Sequence, residues 1–133
     1  MIKKQFTIYL ENKPGVLARI MKALADKKVN IEGISVSEST DVGLVQIVAN
    51  NAAATKKALS DIGVPFTEQE IALLPISNKP GELYRLTSGL AKSGVNINYV
   101  YATSCQGEGS CRCYAVVSAP NLKRVVAAWK KIS

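Results

Sequence analysis

The chain has 133 residues, 47% of them hydrophobic, and carries a formal net charge of +7. That balance excludes an intrinsically disordered chain, and no apolar run nears the ~20 residues needed to span a bilayer. The charge is lopsided, +1 over residues 1–70 and +6 over residues 71–133.

A basic half could attract nucleic acid or an acidic partner. Its charges, from Lys79 and Arg85 to Lys130 and Lys131, are scattered and lack interleaved aromatics. A solvated surface is the simpler reading, and nucleic acid is not the expected partner. Met1-Ile2-Lys3-Lys4-Gln5 leads straight into an alternating segment without the apolar core of a signal peptide. The three cysteines, all in the second half, agree with a reducing compartment. A soluble cytoplasmic protein without membrane association is expected.

In chain order, Phe6, Ile8 and Leu10 alternate with polar neighbours over residues 6–10, the period of a half-buried strand. Pro14 opens a helix, where its missing N–H costs nothing. Val16, Leu17, Ile20, Met21 and Leu24 then form one stripe at helical spacing, and Lys27-Lys28 suit the end of the helix dipole. A second strand is expected over 31–37, with Ile34 and Val36 inward. Ser39-Thr40-Asp41 supply turn chemistry, and a third strand follows over 43–49. Asn50 or Asn51 can cap a helix over 52–62 that Gly63 ends, and residues 64–70 read as a fourth strand. The order β-α-β-β-α-β is a split βαβ arrangement, with two helices on one face of an antiparallel sheet.

The pattern then recurs. Asn12-Lys13-Pro14-Gly15-Val16-Leu17 and Val29-Asn30-Ile31 return as Asn78-Lys79-Pro80-Gly81-Glu82-Leu83 and Val95-Asn96-Ile97, each 66 residues on. Arg19 matches Arg85, Leu24 matches Leu90 and Ala25 matches Ala91. A unit repeated in register implies two small domains, 1–70 and 71–133, each near the lower size limit for an adequate core. The second copy places strands at 72–77, 97–103 and 113–118 and helices at 81–93 and 121–131. It differs in a longer, glycine-rich hairpin over 104–112. It also stops after its second helix, which would leave the edge beside its first strand open to another chain.

Each repeated loop delivers the chain to a helix N-terminus, whose first N–H groups lack intrahelical partners and favour negative charge. A glycine at 15 or 81 lets a ligand approach the backbone, and asparagine amides offer both donors and an acceptor. That combination suits a zwitterion such as a free α-amino acid. Helix initiation and turn stabilisation explain either loop taken alone; the repetition tips the reading towards a receptor.

The two motifs, Asn-Lys-Pro-Gly-Val-Leu-Ala-Arg-Ile…Lys-Val-Asn-Ile-Glu-Gly and Asn-Lys-Pro-Gly-Glu-Leu-Tyr-Arg-Leu…Gly-Val-Asn-Ile-Asn-Tyr, resemble the signature of the ACT domain, a regulatory amino-acid-binding module. The resemblance covers nearly the whole chain and is to stand-alone proteins of two tandem ACT domains. It implies an α+β fold of two ferredoxin-like βαββαβ domains, sheets joined side by side and helices on one face, the second copy lacking its last strand. It further implies pairing through second strands into an eight-stranded sheet, with amino acids bound at interfaces between domains. The binding positions it maps are Asn12, Pro14, Gly15, Val16, Leu17, Asn30 and Ile31, and Asn78, Pro80, Gly81, Glu82, Leu83, Asn96 and Ile97. Glu82 stands where the first copy has Val16, so it could oppose a bound carboxylate or attract an ammonium, leaving one site weak or empty.

Cys105, Cys111 and Cys113 have no histidine in the chain to complete a zinc site. A Cys105–Cys111 disulfide is possible, but reduced structural thiols are the simpler reading. Tyr99 and Tyr101 should face away from the helices and serve a subunit contact, and Trp129 should fill a core or interface. No histidine base, nucleophile elbow, phosphate-cradling loop or paired carboxylates support catalysis. The expectation is a non-catalytic sensor without metal or cofactor. It would act as a homo-oligomer, most simply a dimer, signalling to a partner enzyme, transporter or regulator. The alternative is an interaction adaptor that keeps the scaffold without a ligand.

Overall fold

The structure, a computed structural model, describes residues 1–39, 42–103 and 113–132. Its elements run β1 (Ile2–Glu11), α1 (Val16–Asp26), β2 (Ile31–Ser39), β3 (Val42–Ala49), α2 (Ala52–Ile62), β4 (Phe66–Ile76), α3 (Glu82–Lys92), β5 (Tyr99–Thr103), β6 (Cys113–Ser118) and α4 (Leu122–Ile132). They form two compact units, Lys4–Gln69 and Glu70–Ser133, the latter together with Met1–Lys3.

In the first unit the strand order is β2-β3-β1, with the start of β4 beside β1. Antiparallel registers pair Ile8 with Val45, and Val45 in turn with Val36. Alternation sends Phe6, Ile8, Val45 and Ile47 to one face, where Ile20 and Leu24 of α1 and Leu59 of α2 close the core. Asn51 caps α2 by accepting the Ala54 N–H, and Gly63 ends it in the left-handed conformation at φ +73°. The other face carries a polar set: buried Thr7 donates through Oγ1 to Gln69 Oε1 at 2.8 Å, and exposed Gln69 donates through Nε2 to Thr67. Ile34 and Val36 take the helix-side register, yet they stay 38% and 52% exposed. The helices cover β1 and β3 and leave the edge strand β2 uncovered at Ile34 and Val36.

The second unit repeats the plan with β5-β6-β4 and Leu74, Leu86, Leu90, Val117, Val125 and Trp129 in its core. Trp129 is a core residue whose indole N–H donates to Pro75 O at 2.9 Å. Tyr101 pairs with Val116 and Val100 with core residue Val117, so the tyrosines face away from the helices as expected. Their rings stack at 6.4 Å.

Two expectations need correction. The separate strands predicted over 64–70 and 72–77 are one strand, β4, because Gln69-Glu70-Ile71-Ala72 contains no residue that would turn the chain. The edge of the second unit is also not left open. The Leu73 N–H donates to Met1 O at 2.7 Å, and the Met1 ammonium donates to Leu73 O at 3.1 Å. The N-terminal residues thus stand where the missing strand would pair. Thr40 and Asp41, the hairpin at 104–112 and with it Cys105 and Cys111 lie outside the described residues. Cys113 is a buried thiol in β6.

Candidate functional site

Both units enter their first helix through the same turn. After β1, the Lys13 N–H donates to Glu11 O and the Arg19 N–H to Gly15 O; after β4, Lys79 donates to Ser77 O and Arg85 to Gly81 O. Gly15 and Gly81 sit at φ +88° and +86°, a left-handed conformation costing other residues ~1–2 kcal/mol. A Cβ at either glycine would meet nothing within 4 Å. Backbone handedness therefore requires glycine here. Neither cap glycine offers a side chain to α1 or α3, and the first N–H of each helix donates across the entry turn, Val16 to Lys13 O and Glu82 to Lys79 O.

From this common frame the two entrances diverge at one side chain. In the first, half-buried Val16 opens α1 beside a cavity of ≈ 530 Å³ that Glu11, Arg19, Val42 and Ile62 help to line. One Arg19 Nη2 donates to Ile62 O at 2.9 Å, tying α1 to the last carbonyl of α2. In the second, Glu82 occupies the Val16 position and is only 8% exposed. Its carboxylate accepts the Ser77 N–H at 2.7 Å and Arg85 Nε at 2.7 Å. These two bonds, Arg85 first, hold its pKa down at about 2. Arg85 also donates to Ile132 O at 2.8 Å, as Arg19 does to Ile62, and lies 5.0 Å over the Trp129 ring. A cavity of ≈ 490 Å³ beside this entrance is lined by Asn78, Leu83, Tyr84 and Thr103, with Glu82 in its wall.

The residues expected at the sites are divided by this geometry. Gly15, Val16 and Leu17, like Gly81, Glu82 and Leu83, gather at the entrances with exposed Pro14, Pro80, Asn12 and Asn78. Asn30 and Asn96 follow the far ends of α1 and α3, each an 11-residue helix, roughly 16 Å long. Within one unit, Asn12 and Asn30 therefore lie towards opposite ends of α1. The Asn30 backbone joins Asn50, its N–H donating to Asn50 Oδ1 at 3.0 Å and its carbonyl accepting the Asn50 N–H. Ile31 and Ile97 pack against their cores. Arg19 and Arg85, which bring a guanidinium to each entrance, are absent from the expected set. Their exact recurrence four residues after each glycine was the signal that could have included them. Among the described residues no His, Cys, Asp and Glu cluster could hold a metal ion, and no helix is long and apolar enough to cross a membrane.

A βαββαβ unit followed by a βαββα copy, with matched glycine entrances, is the architecture of tandem ACT domains. The family model for an ACT domain pair matches residues 1–127, and the chain belongs to that family. It is 30% identical to the acetolactate synthase small subunit of Aquifex aeolicus (strain VF5), over 64% of this chain and 55% of that protein. The chain thus spans about half the length of this curated relative. Among solved structures, protein BT0572 from Bacteroides thetaiotaomicron superposes with a TM-score of 0.84 at 25% identity, covering 98% of this chain and 88% of that one. The ligand-free regulatory subunit of aspartate kinase from Thermus thermophilus shares the fold, with a TM-score of 0.69 at 13% identity over 99% and 93% of the two chains.

Proposed function

We propose that this protein is a non-catalytic regulator that binds a free amino acid and passes the binding energy to a separate partner enzyme, transporter or regulator. The reading rests most on the first entrance. A cavity of ≈ 530 Å³ there meets an uncapped helix start and a guanidinium, a volume within the usual range for small-molecule sites. Glu11, on the same wall, adds a carboxylate that could face a ligand ammonium, although it also pairs with Lys13 at 2.7 Å. Asn12 and Asn78 keep their proposed place at the entrances. Asn30 and Asn96 would take part only where a second domain or chain brings them to another entrance.

Family membership supports regulation, and the acetolactate synthase small subunit, by its name, belongs to an assembly with another chain. Control of such a partner requires the ligand to bind one arrangement of the assembly better than another, and the coupling is reciprocal. A thermal-shift screen of the twenty amino acids tests the proposal. Saturable stabilisation by one or a few is expected, reaching about 2.7 kcal/mol at a hundred times the dissociation constant. No shift at millimolar concentrations overturns it.

One observation favours the adaptor reading as a second role. β2 is an edge strand whose helix-side Ile34 and Val36 remain exposed, a surface suited to pairing with a second copy. Val36→Asp should then shift the protein from dimer to monomer in light scattering, while an unchanged mass removes the β2 interface.

A further inference from the structure

We propose that the first-turn residue of each helix decides which entrance is a receptor. In the first unit, Arg19 and the Glu11 N–H receive the carboxylate of a ligand; in the second, Glu82 fills the same position as a built-in substitute. The identity of the ligand rests on the function proposed above, but the anion site itself does not.

The second unit displays the contact. Its carboxylate engages two donors, the Ser77 N–H and Arg85 Nε, both at 2.7 Å. The 66-residue repeat maps these donors onto the Glu11 N–H and Arg19 Nε. Strand geometry directs the mapped N–H correctly. On β4 the Leu73 N–H points towards Met1, so the Ser77 N–H, four residues on, emerges on the same side. On β1 the Tyr9 N–H points towards Pro65, so the Glu11 N–H, two residues on, also emerges on that side, away from β3. Arg19, like Arg85, is anchored on a late carbonyl of the second helix of its unit, through Nη2 on Ile62 O where Arg85 uses Nη1 on Ile132 O. The carboxylate is what the first entrance lacks, and Arg85 also lies over the Trp129 ring. Val16 cannot supply one, and the space beside it is the ≈ 530 Å³ cavity that both Glu11 and Arg19 line. Where the repeat has Glu82, the site is satisfied from within the chain and has no use for a free carboxylate.

Acetate is the probe, since it carries the carboxylate without an amino-acid side chain. In ¹H–¹⁵N spectra of the whole chain, acetate should shift the Glu11 amide and Arg19 Nε saturably while leaving Ser77 and Arg85 unmoved. Val16→Glu should abolish the Glu11 response, and Glu82→Ala should create one at Ser77 and Arg85. Should Glu82→Ala fail to fold, the unsubstituted protein and Val16→Glu still decide the matter. An acetate response at Ser77 of the unsubstituted protein, or none at Glu11, overturns the proposal. Acetate binding at Glu11 without binding of any amino acid would sustain this site and sink the amino-acid sensor. For an amino acid that does bind, Arg19→Ala should weaken affinity ~10–100-fold, the range for losing a charged hydrogen bond.

Discussion

The two units share backbone, registers and core positions, yet their helix entrances are electrostatically unlike. The first presents Arg19 to a cavity; the second closes Arg85 on Glu82, which is buried at 8% exposure. Duplication preserved the parts that hydrophobic burial enforces and left the charged first turn free to diverge. A single position, Val16 against Glu82, converts an open cationic entrance into a self-satisfied one. The same contrast appears at the helix ends. Gly94 occupies the left-handed position after α3 at φ +75°, while the first unit places Lys28 there at φ +58°.

The largest expected effect tests where the units are alike. Leu24→Ala and Leu90→Ala each remove a side chain at most 1% exposed from equivalent core sites. Each should cost ~2–5 kcal/mol in urea denaturation, and a much smaller loss in one unit would break the equivalence. The next tests where they differ. Glu82→Ala leaves Arg85 and the Ser77 N–H without their carboxylate and should cost ~1.5–3 kcal/mol, whereas Val16→Ala should cost less and leave Ser77 exchange unchanged.

Acid separates the entrances as well. Glu82 has its pKa depressed from 4.5 to about 2, so its contribution is present above pH 4.5 and is lost as the pH falls towards 2. The protection of the Ser77 N–H against hydrogen exchange, taken relative to the intrinsic rate at each pH, should fall over that window in the parent protein. That fall should be absent in Glu82→Gln, and the same profile in Glu82→Gln would remove Glu82 as its source.

The smallest effect lies at the helix ends. Both close alike, with Val29 donating to Leu24 O and Val95 to Leu90 O at 3.0 Å. Lys28→Gly should therefore gain about 1 kcal/mol by relieving a left-handed lysine, and Gly94→Lys should lose a similar amount. Equal stabilities in thermal unfolding would show that lysine bears no penalty at position 28.

Much of this was legible in the chain because local patterns report local structure. Alternation exposed β1 and β3, helical spacing exposed α1, and Asn51 with Gly63 bracketed α2. The 66-residue recurrence revealed both the duplication and the entrances. The single strand β4 was less visible, since a continuous strand and two abutting ones share the same alternation. The missing edge was misread for a physical reason: strand pairing is a long-range choice, and nothing near Leu73 announces Met1 as its partner.

The amino-acid sequence by itself determined the repeated βαββαβ plan, its apolar faces and the two glycines whose handedness the turns require. Those properties depend on residues close together in the chain. Only the tertiary structure decided that Arg19 faces a cavity and that the Glu82 carboxylate is held by Arg85 and the Ser77 N–H. Electrostatic partnership depends on distances of a few ångströms between elements, and a periodic pattern of residues carries no measure of them.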